Sequence, residues 1–313
     1  MIAIEQRYLG CLIGLACGDA LGGPVEFDTR AQMDKRYPDG LRDFIGGGWL
    51  SLFPGEVTDD TQMALDVARS LVAHPEGNMD DLALRFLAWR NSDPKDIGNT
   101  TRDALDRLAR GVPWDEAGEQ TYRNRGPRDS AGNGSIMRCA PIAMRYRNDP
   151  ERLRYVSIDV SRITHANPLC TWSSVVVDQA IAALLNGTSI AGALAGSSAG
   201  IENAQVRTAV DHATPAKREG VKSAGFVLDT LGAAYWSLLQ TPSFEEAVVT
   251  AVGLGGDTDT TGAVAGALAG AHYGVDAIPD RWRSKVQHHD ELSKLALDLL
   301  KLSEQPKVTD AAP

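Results

Sequence analysis

The sequence is poor in the residues that carry thiolate and imidazole chemistry. Its 313 residues include only four cysteines and six histidines. The cysteines, Cys11, Cys17, Cys139 and Cys170, form no C-x-x-C pair and do not have the spacing of zinc ligands. No Ser-His-Asp or Cys-His arrangement suggests itself either. The cysteines are therefore expected to be reduced thiols, as in a cytoplasmic protein.

Basic charge is also in deficit. The chain has 31 Lys and Arg residues against 41 Asp and Glu residues, which gives a net charge of −10. Because phosphate backbones are bound by basic surfaces, this balance excludes general nucleic-acid binding. A smaller phosphate ligand could still be bound through backbone N–H groups or metal ions.

Long hydrophobic runs are scarce. The nearest approach to a membrane span is AVAGALAGA, residues 263–271, which is shorter than the ~18 residues required and predicts a buried helix. The N-terminal segment LGCLIGLACGDALGG lacks a basic flank and is interrupted by Asp19, so a secretion signal is not expected. We therefore expect a protein without a membrane span.

Helical periodicity dominates what is present. Apolar residues recur at spacings of three and four, whereas alternating strand patterns are almost absent. Helices are predicted to start near Asp80 and Asp81 and near Thr101, Ile136, Arg152, Thr171, Ser223, Phe244 and Arg281. The sequence predicts one compact all-α domain over residues 1–303, followed by a polar, frayed tail over residues 304–313.

One predicted helix carries a stripe of glycines. Gly262, Gly266 and Gly270 repeat every four residues, so they share one helix face. A face without side chains allows a neighbouring helix to approach very closely. This pattern predicts a central, tightly surrounded helix.

Two clusters of acids and threonines stand at predicted helix starts. GEVTDDTQMAL contains Asp59 and Asp60, and GGDTDTTG contains Asp257 and Asp259. Such residues can be helix caps or solvated charges. However, each cluster has more carboxylates than a cap uses, and like charges this close repel unless cations or protons neutralise them. Hard divalent cations take carboxylate and hydroxyl ligands, so a metal site is the alternative interpretation.

Two better-known motifs do not fit the second cluster. An EF-hand loop beginning at Asp257 would need Glu at its twelfth position, which is Leu268. A dinucleotide-binding fingerprint would need a third glycine where Thr258 stands, and no predicted strand precedes it. Both interpretations are excluded.

Four further segments can each be interpreted as having either an ordinary structural role or a functional role. GNGSIMR, residues 132–138, is either an anion-binding turn at a helix start or a loop with a Ser cap. Asp96 in DIGNTT is typical of an Asx turn. His165 in ITHANP has the position of a structural histidine, and Asp19 and Glu26 in GDALGGPVEF could serve either purpose.

Taken together, these segments resemble a known family. GDALGGPVEF, TDDT, GNGSIMR, TH and GGDTDTTG, in this order, resemble the ADP-ribosylglycohydrolases over about Tyr8 to Pro279. GGGWLSLFPGEVTDDTQM, DIGNTT and TGAVAGALAGAHYGVDAIP are especially similar to the dinitrogenase reductase-activating glycohydrolases. That subgroup removes ADP-ribose from an arginine of the nitrogenase iron protein.

The resemblance implies an all-α fold in which the TDDT and DTDT segments meet in a cleft and bind two Mg²⁺ or Mn²⁺ ions. The implied metal ligands are Thr58, Asp59, Asp60, Asp257, Asp259 and Thr260. The implied substrate-binding residues are Asn99, Asn133, Gly134, Ser135, Met137 and His165. Asp96 would lie near the scissile bond and Glu26 at the cleft mouth. Asp96, Asp59, Asp60 and Glu26 are the candidate catalytic residues.

The implied partners are an ADP-ribosylated protein, the product ADP-ribose and, by the same resemblance, the nitrogenase iron protein and a PII-type regulator. A monomer is expected. Arginine is favoured as the acceptor, with serine, a nucleic acid base or a small molecule as alternatives. Ser135 and Ile136 are larger than the residues expected at these places in the subgroup, which bears on the contacts around the phosphates. A different binuclear hydrolase, such as a phosphoester hydrolase, and a non-catalytic ADP-ribose binder remain the rival functions.

Overall fold

The computed structural model describes residues 2–213 and 217–305, and the regular structure in these two ranges is helical. Extended pairing there is limited to two isolated bridges, between Gly47 and Leu52 and between Gly132 and Phe226. The predicted all-α class is confirmed. Residues 306–313 of the predicted tail lie outside the described residues.

The helices follow one another along the chain, mostly with short connections, and the longest segment without a helix is residues 37–58. The α-helices are α1 Ile4–Gly22, α2 Arg30–Arg36, α3 Asp59–Ala73, α4 Met79–Arg90, α5 Asn99–Ala109, α6 Trp114–Asp129, α7 Ala140–Tyr146, α8 Pro150–Arg162, α9 Pro168–Leu185, α10 Ile190–Gly196, α11 Ala204–Ala213, α12 Val227–Gln240, α13 Phe244–Val252, α14 Thr258–Tyr273, α15 Asp280–Arg283 and α16 His289–Ser303. Short 3₁₀ turns are Gly23–Val25, Ile136–Arg138, Arg218–Gly220 and Val275–Ala277.

The centre of the fold is the antiparallel pair α1 and α14. The glycine stripe of α14 meets a second glycine stripe on α1, so the two backbones touch. A Cβ atom on Gly266 would lie 2.1 Å from the carbonyl oxygen of Gly14, and one on Gly18 would lie 1.9 Å from that of Gly262. The predicted central helix is confirmed. This contact also fixes the N-terminal end of α14 beside the C-terminal end of α1.

Some predicted helix starts are wrong by a few residues. Ile136 begins a 3₁₀ turn and the following α-helix starts at Ala140, and the helix expected near Thr171 begins at Pro168. The helix expected near Ser223 begins at Val227, because the preceding segment pairs with a loop: the Val227 N–H donates to the Ala131 carbonyl at 2.9 Å. Asp80 and Asp81 do not precede α4 but lie in its first turn. The cap is Asn78, whose side chain accepts from the Asp81 N–H at 3.0 Å.

Two helices are long and apolar enough to cross a membrane by length and composition, namely Ile4–Val25 and Pro168–Leu185. The expectation that no apolar segment reaches this length is therefore wrong. Both segments are largely buried inside the fold, as the core helices of globular proteins are. Packing against other helices accounts for their apolar composition.

Candidate active site

The two acidic helix starts meet in the structure. α3 begins at Asp59 and α14 at Thr258, and the Thr260 hydroxyl lies 3.4 Å from Oδ2 of Asp60, although the two residues are 200 positions apart in sequence. Asp59, Asp60 and Asp259 are all buried. The predicted ligand residues therefore form one group of carboxylates and hydroxyls, in which Asp257 is half-buried and the other five are buried.

Asp19 on α1, whose role the sequence left open, holds the start of α3. Its carboxylate accepts from the backbone N–H of Thr58 at 3.0 Å and from that of Thr61 at 3.1 Å. It also accepts from both threonine hydroxyls, at 2.9 and 2.5 Å. Asp19 thus caps α3 from another helix. Burial raises the pKa of Asp19 to about 6, and these four hydrogen bonds oppose the rise.

A second group of carboxylates adjoins the first. Glu26, Asp96 and Asp259 each place a carboxylate oxygen within 4.8 Å of the other two. Glu26 follows the turn at the end of α1, and Asp96 precedes α5 and accepts from the Ile97 N–H at 2.7 Å. In sequence Asp96 lies outside both acidic clusters, but in space it is beside Asp259. This position suits a role in the chemical step and also suits a role in metal binding.

Burial and mutual repulsion dominate the electrostatics of this region. Burial raises the pKa values of Asp59, Asp60 and Asp259 well above the usual carboxyl range, and neighbouring carboxylates raise them further. Burial also raises the pKa of Glu26 to about 8, with Asp257 and Asp96 adding to the shift and the Trp49 hydrogen bond opposing it. Such a group retains its negative charges only if cations are close.

The residues present fit divalent cations. Oδ1 of Asp60 and Oδ1 of Asp257 are buried, and neither has a hydrogen-bond partner among the described residues. Burying a carboxylate oxygen without a hydrogen-bond partner raises the free energy of the folded protein unless a cation or a proton binds to that oxygen. The hydroxyl of Thr58 donates to Asp19, so its lone pairs remain free to act as ligands. Oxygen-only donor sets of this kind suit Mg²⁺ or Mn²⁺.

The GNGSIMR loop is joined to the acidic group. The Asn133 side chain donates to Oδ2 of Asp257 at 3.1 Å and to the Thr230 hydroxyl at 3.0 Å. This amide therefore orients a predicted metal ligand, a role that the sequence did not indicate. Gly134 packs so closely that a Cβ atom there would lie 2.6 Å from Cε1 of His165.

Three other predicted substrate-binding residues differ in accessibility. Ser135 and Met137 are buried, and the Ser135 hydroxyl donates to the Cys170 carbonyl at 3.4 Å. Asn99, in contrast, is exposed as the first residue of α5. The structure thus leaves Asn99 open to a ligand, whereas the Ser135 hydroxyl is bonded inside the fold.

A buried relay orients His165. Nη2 of Arg138 donates to the Thr164 hydroxyl oxygen at 2.6 Å, and the same oxygen lies 2.8 Å from Nδ1 of His165. Because an arginine only donates, the hydroxyl proton of Thr164 is free to be donated to Nδ1. That arrangement places the ring proton on Nε2, which faces the GNG turn. Burial, reinforced by Arg138 and Arg125, lowers the pKa of His165 to about 3, so the ring is neutral near pH 7.

Thr164→Val is expected to change the tautomer of His165. Valine has nearly the same shape but cannot donate, so Nδ1 loses its donor and the preference for Nε2–H is lost. The measurement is a long-range ¹H–¹⁵N correlation spectrum of protein labelled at histidine, with His165→Gln identifying the signal. Thr121→Val is the matched control, because Thr121 is also buried and accepts from an arginine, Arg107, at 3.0 Å. A proton on Nδ1 in the unaltered protein would contradict the relay.

The family is shown by sequence comparison. The model of the ADP-ribosylglycohydrolase family matches residues 1–308. The ADP-ribosyl-[dinitrogen reductase] glycohydrolase of Rhodospirillum rubrum is 37% identical over 288 residues, which cover 91% of each chain. The ADP-ribosylarginine hydrolase Tri1 of Serratia proteamaculans is 35% identical, with coverage of 94% of this chain and 79% of the relative.

A solved structure agrees with these relatives. A chain of an ADP-ribosylglycohydrolase-related protein complex superposes with a TM-score of 0.83 at 35% sequence identity, over 96% of this chain and 99% of that one. The resemblance drawn from the motifs is thereby confirmed. This chain belongs to the ADP-ribosylglycohydrolase family.

Proposed function

We propose that this protein hydrolyses the bond between ribose C1″ and the guanidine nitrogen of an ADP-ribosylated arginine, releasing ADP-ribose from a protein. The observation that carries the proposal is the convergence of the two helix starts with Glu26 and Asp96, directly beside the GNGSIMR loop. The names of the relatives, which specify ADP-ribosylarginine and ADP-ribosyl-dinitrogen reductase, support this reaction and this acceptor.

The proposed chemistry assigns separate tasks to the side chains. Cleavage passes through a transition state that resembles an oxocarbenium ion. Two Mn²⁺ or Mg²⁺ ions would orient the ribose hydroxyls and lower the pKa of water. The residues that would hold them are Thr58, Asp59, Asp60, Asp257, Asp259 and Thr260. As the water oxygen bonds to C1″ and the bond from C1″ to the guanidine nitrogen breaks, Asp96 would accept a proton from the water and the released guanidine would take up a proton. The Asn133 amide would keep Asp257 in position.

The products of one incubation distinguish this proposal from its rivals. The protein is incubated with ADP-ribosyl-arginine and Mn²⁺, and the products are separated by chromatography. Release of ADP-ribose together with free arginine is expected. AMP would instead indicate a phosphoester hydrolase that attacks the diphosphate, and binding without any product would indicate an ADP-ribose binder.

The acceptor and natural target are tested by parallel substrates. A peptide with ADP-ribosylated serine is expected to be cleaved much more slowly than one with ADP-ribosylated arginine. The resemblance makes the ADP-ribosylated nitrogenase iron protein the candidate target. The enzyme is proposed to be a cytoplasmic monomer with a PII-type regulator. Faster cleavage of the serine peptide would overturn the choice of arginine.

Chelation is expected to abolish turnover, because the buried carboxylates then lose the cations that their charges require. Mn²⁺ or Mg²⁺ should restore activity to the chelated protein. Zn²⁺ should restore it poorly, since the oxygen-only group offers no Cys or His ligand. The measurement is the rate of ADP-ribose release after dialysis against EDTA and addition of each metal. Full turnover in excess chelator would contradict the metal assignment.

A further inference from the structure

An apolar patch lies at the surface beside the candidate active site. Eight large hydrophobic side chains are exposed among the described residues, and four of them fall between residues 27 and 53. We call these four the apolar rim: Phe27 (65% exposed), Ile45 (43%), Trp49 (53%) and Phe53 (75%). Clustered exposed apolar side chains contribute little to folding and commonly mark an interaction site.

A small hairpin presents half of the apolar rim. The backbones of Gly47 and Leu52 exchange two hydrogen bonds, of 2.7 and 2.9 Å, around the residues between them. Leu52 is buried beneath the hairpin, whereas Trp49 and Phe53 point outward. The hairpin is therefore anchored by its inward side chains, and its outward aromatic side chains are held in place without being covered.

The apolar rim is continuous with the carboxylates of the site. Trp49 Nε1 donates to Oε2 of Glu26 at 2.7 Å, and the Trp49 ring lies 5.7 Å from that of Phe27. On the other side, Lys95 Nζ lies 5.4 Å from the centre of the Phe53 ring, and Lys95 directly precedes Asp96. The aromatic side chains of the apolar rim are therefore joined to Glu26 through Trp49 and lie near Asp96 through Lys95.

We propose that the apolar rim docks apolar residues that flank the modified arginine in the protein substrate. The inference rests on the proposed function, because only a protein-linked substrate carries such flanking residues. The ribose and diphosphate of ADP-ribose are polar, and its adenine would lie beyond the diphosphate, away from Glu26 and Asp96, which the rim adjoins. If the adenine stacked on the rim instead, Phe53→Ser would slow the turnover of ADP-ribosyl-arginine itself. Exposed aromatic side chains are the residue type that supplies most of the binding energy when a partner covers them.

Two peptides test the proposal. Both carry one ADP-ribosylated arginine, and the flanking positions are Leu and Phe in the first peptide and Ser and Gly in the second. The unaltered enzyme is expected to cleave the apolar peptide with a kcat/KM about 10-fold higher, mainly through a lower KM. In Phe53→Ser, and more completely in Phe53→Ser combined with Ile45→Ser, this preference should disappear.

A matched control and a simple substrate separate the possible outcomes. Tyr155→Ser removes an equally prominent aromatic side chain from α8, where 56% of it is exposed, and should keep the preference. Turnover of ADP-ribosyl-arginine itself should be unchanged in all variants. If the unaltered enzyme does not cleave ADP-ribosyl-arginine, the proposed function fails. If it does cleave it but shows no preference between the peptides, or if the Phe53→Ser variant keeps the preference, the docking proposal fails.

A second copy of the chain is the other conceivable occupant of the rim. Light scattering at the assay concentration reports this directly. A dimer that dissociates in Phe53→Ser, with turnover of both peptides changed equally, would overturn substrate docking in favour of self-association. A monomer in both proteins, together with loss of the peptide preference, is the result expected from substrate docking.

Discussion

Gly266→Ala is expected to destabilise the protein by about 3 kcal/mol or more, and the variant should fail to bind metal even where it stays folded. The added methyl group would lie 2.1 Å from the carbonyl oxygen of Gly14, which is backbone and cannot rotate away. The helices α1 and α14 must therefore separate. Since α1 carries Asp19 and α14 carries Asp259, separation also disturbs the acidic group. Urea unfolding followed by circular dichroism measures the change.

Gly232→Ala is the matched control for this variant. Gly232 also lies inside a helix, α12, but a Cβ atom there would have no other atom within 4 Å. The same substitution should therefore stabilise the protein, by up to ~1 kcal/mol, because alanine is the better helix former. Equal unfolding midpoints for Gly266→Ala and Gly232→Ala would contradict the close contact between α1 and α14.

The periodicity of the sequence predicted the glycine face of α14 but did not predict that α1 is the helix packed against it. Gly262, Gly266 and Gly270 fall at one spacing within an apolar helix, so the need for a close neighbour can be read locally. The identity of the neighbour depends on packing between segments more than 200 residues apart. Gly14 and Gly18 have the same spacing in the N-terminal segment, but the spacing does not identify which other helix they meet.

In the candidate site, too, some residues can be recognised from their neighbours in sequence, whereas others can be recognised only from the fold. The clusters around Asp59 and Asp259 stand out because their charges are close in sequence and need neutralising. Asp19 is a single carboxylate whose partners, at Thr58 and Thr61, become neighbours only when α1 packs against α3. Sequence spacing alone cannot show this contact.

Arg138 and Asn133 illustrate two further limits. Arginine side chains are mostly exposed in proteins, yet Arg138 is buried and its guanidinium group lies over the ring of Phe86 at 4.7 Å. The resemblance implies that Asn133 binds substrate, and the fold adds that its amide nitrogen bonds Asp257 and Thr230. The sequence indicates that a side chain is polar, whereas the fold determines which polar atom it meets.

Asp96→Asn is expected to lower kcat by ~10²–10⁴ while Mn²⁺ affinity and ADP-ribose affinity change little. Asparagine keeps the shape of aspartate, and its side-chain oxygen can still accept the Ile97 N–H bond, now 2.7 Å long. It cannot take a proton as a carboxylate does, and general base catalysis typically contributes a factor of this size. The measurements are turnover of ADP-ribosyl-arginine, calorimetric titration with Mn²⁺, and ADP-ribose binding, all on the same preparation.

Asp259→Asn is the comparison variant, because it distinguishes loss of a metal ligand from loss of a catalytic base. Asp259 lies within 4.8 Å of Asp96 but belongs to the α14 cluster, so its variant should lose Mn²⁺ binding together with turnover. The chelated Asp259→Asn protein should be as stable as the unaltered protein or slightly more stable, because one of several buried, mutually repelling carboxylates is gone. If Asp96→Asn also lost Mn²⁺ binding, Asp96 would be a metal ligand alongside Asp259. If its turnover were unchanged, Asp96 would have only the structural role of an Asx turn, and the base would have to be Asp59, Asp60, Asp257 or Glu26.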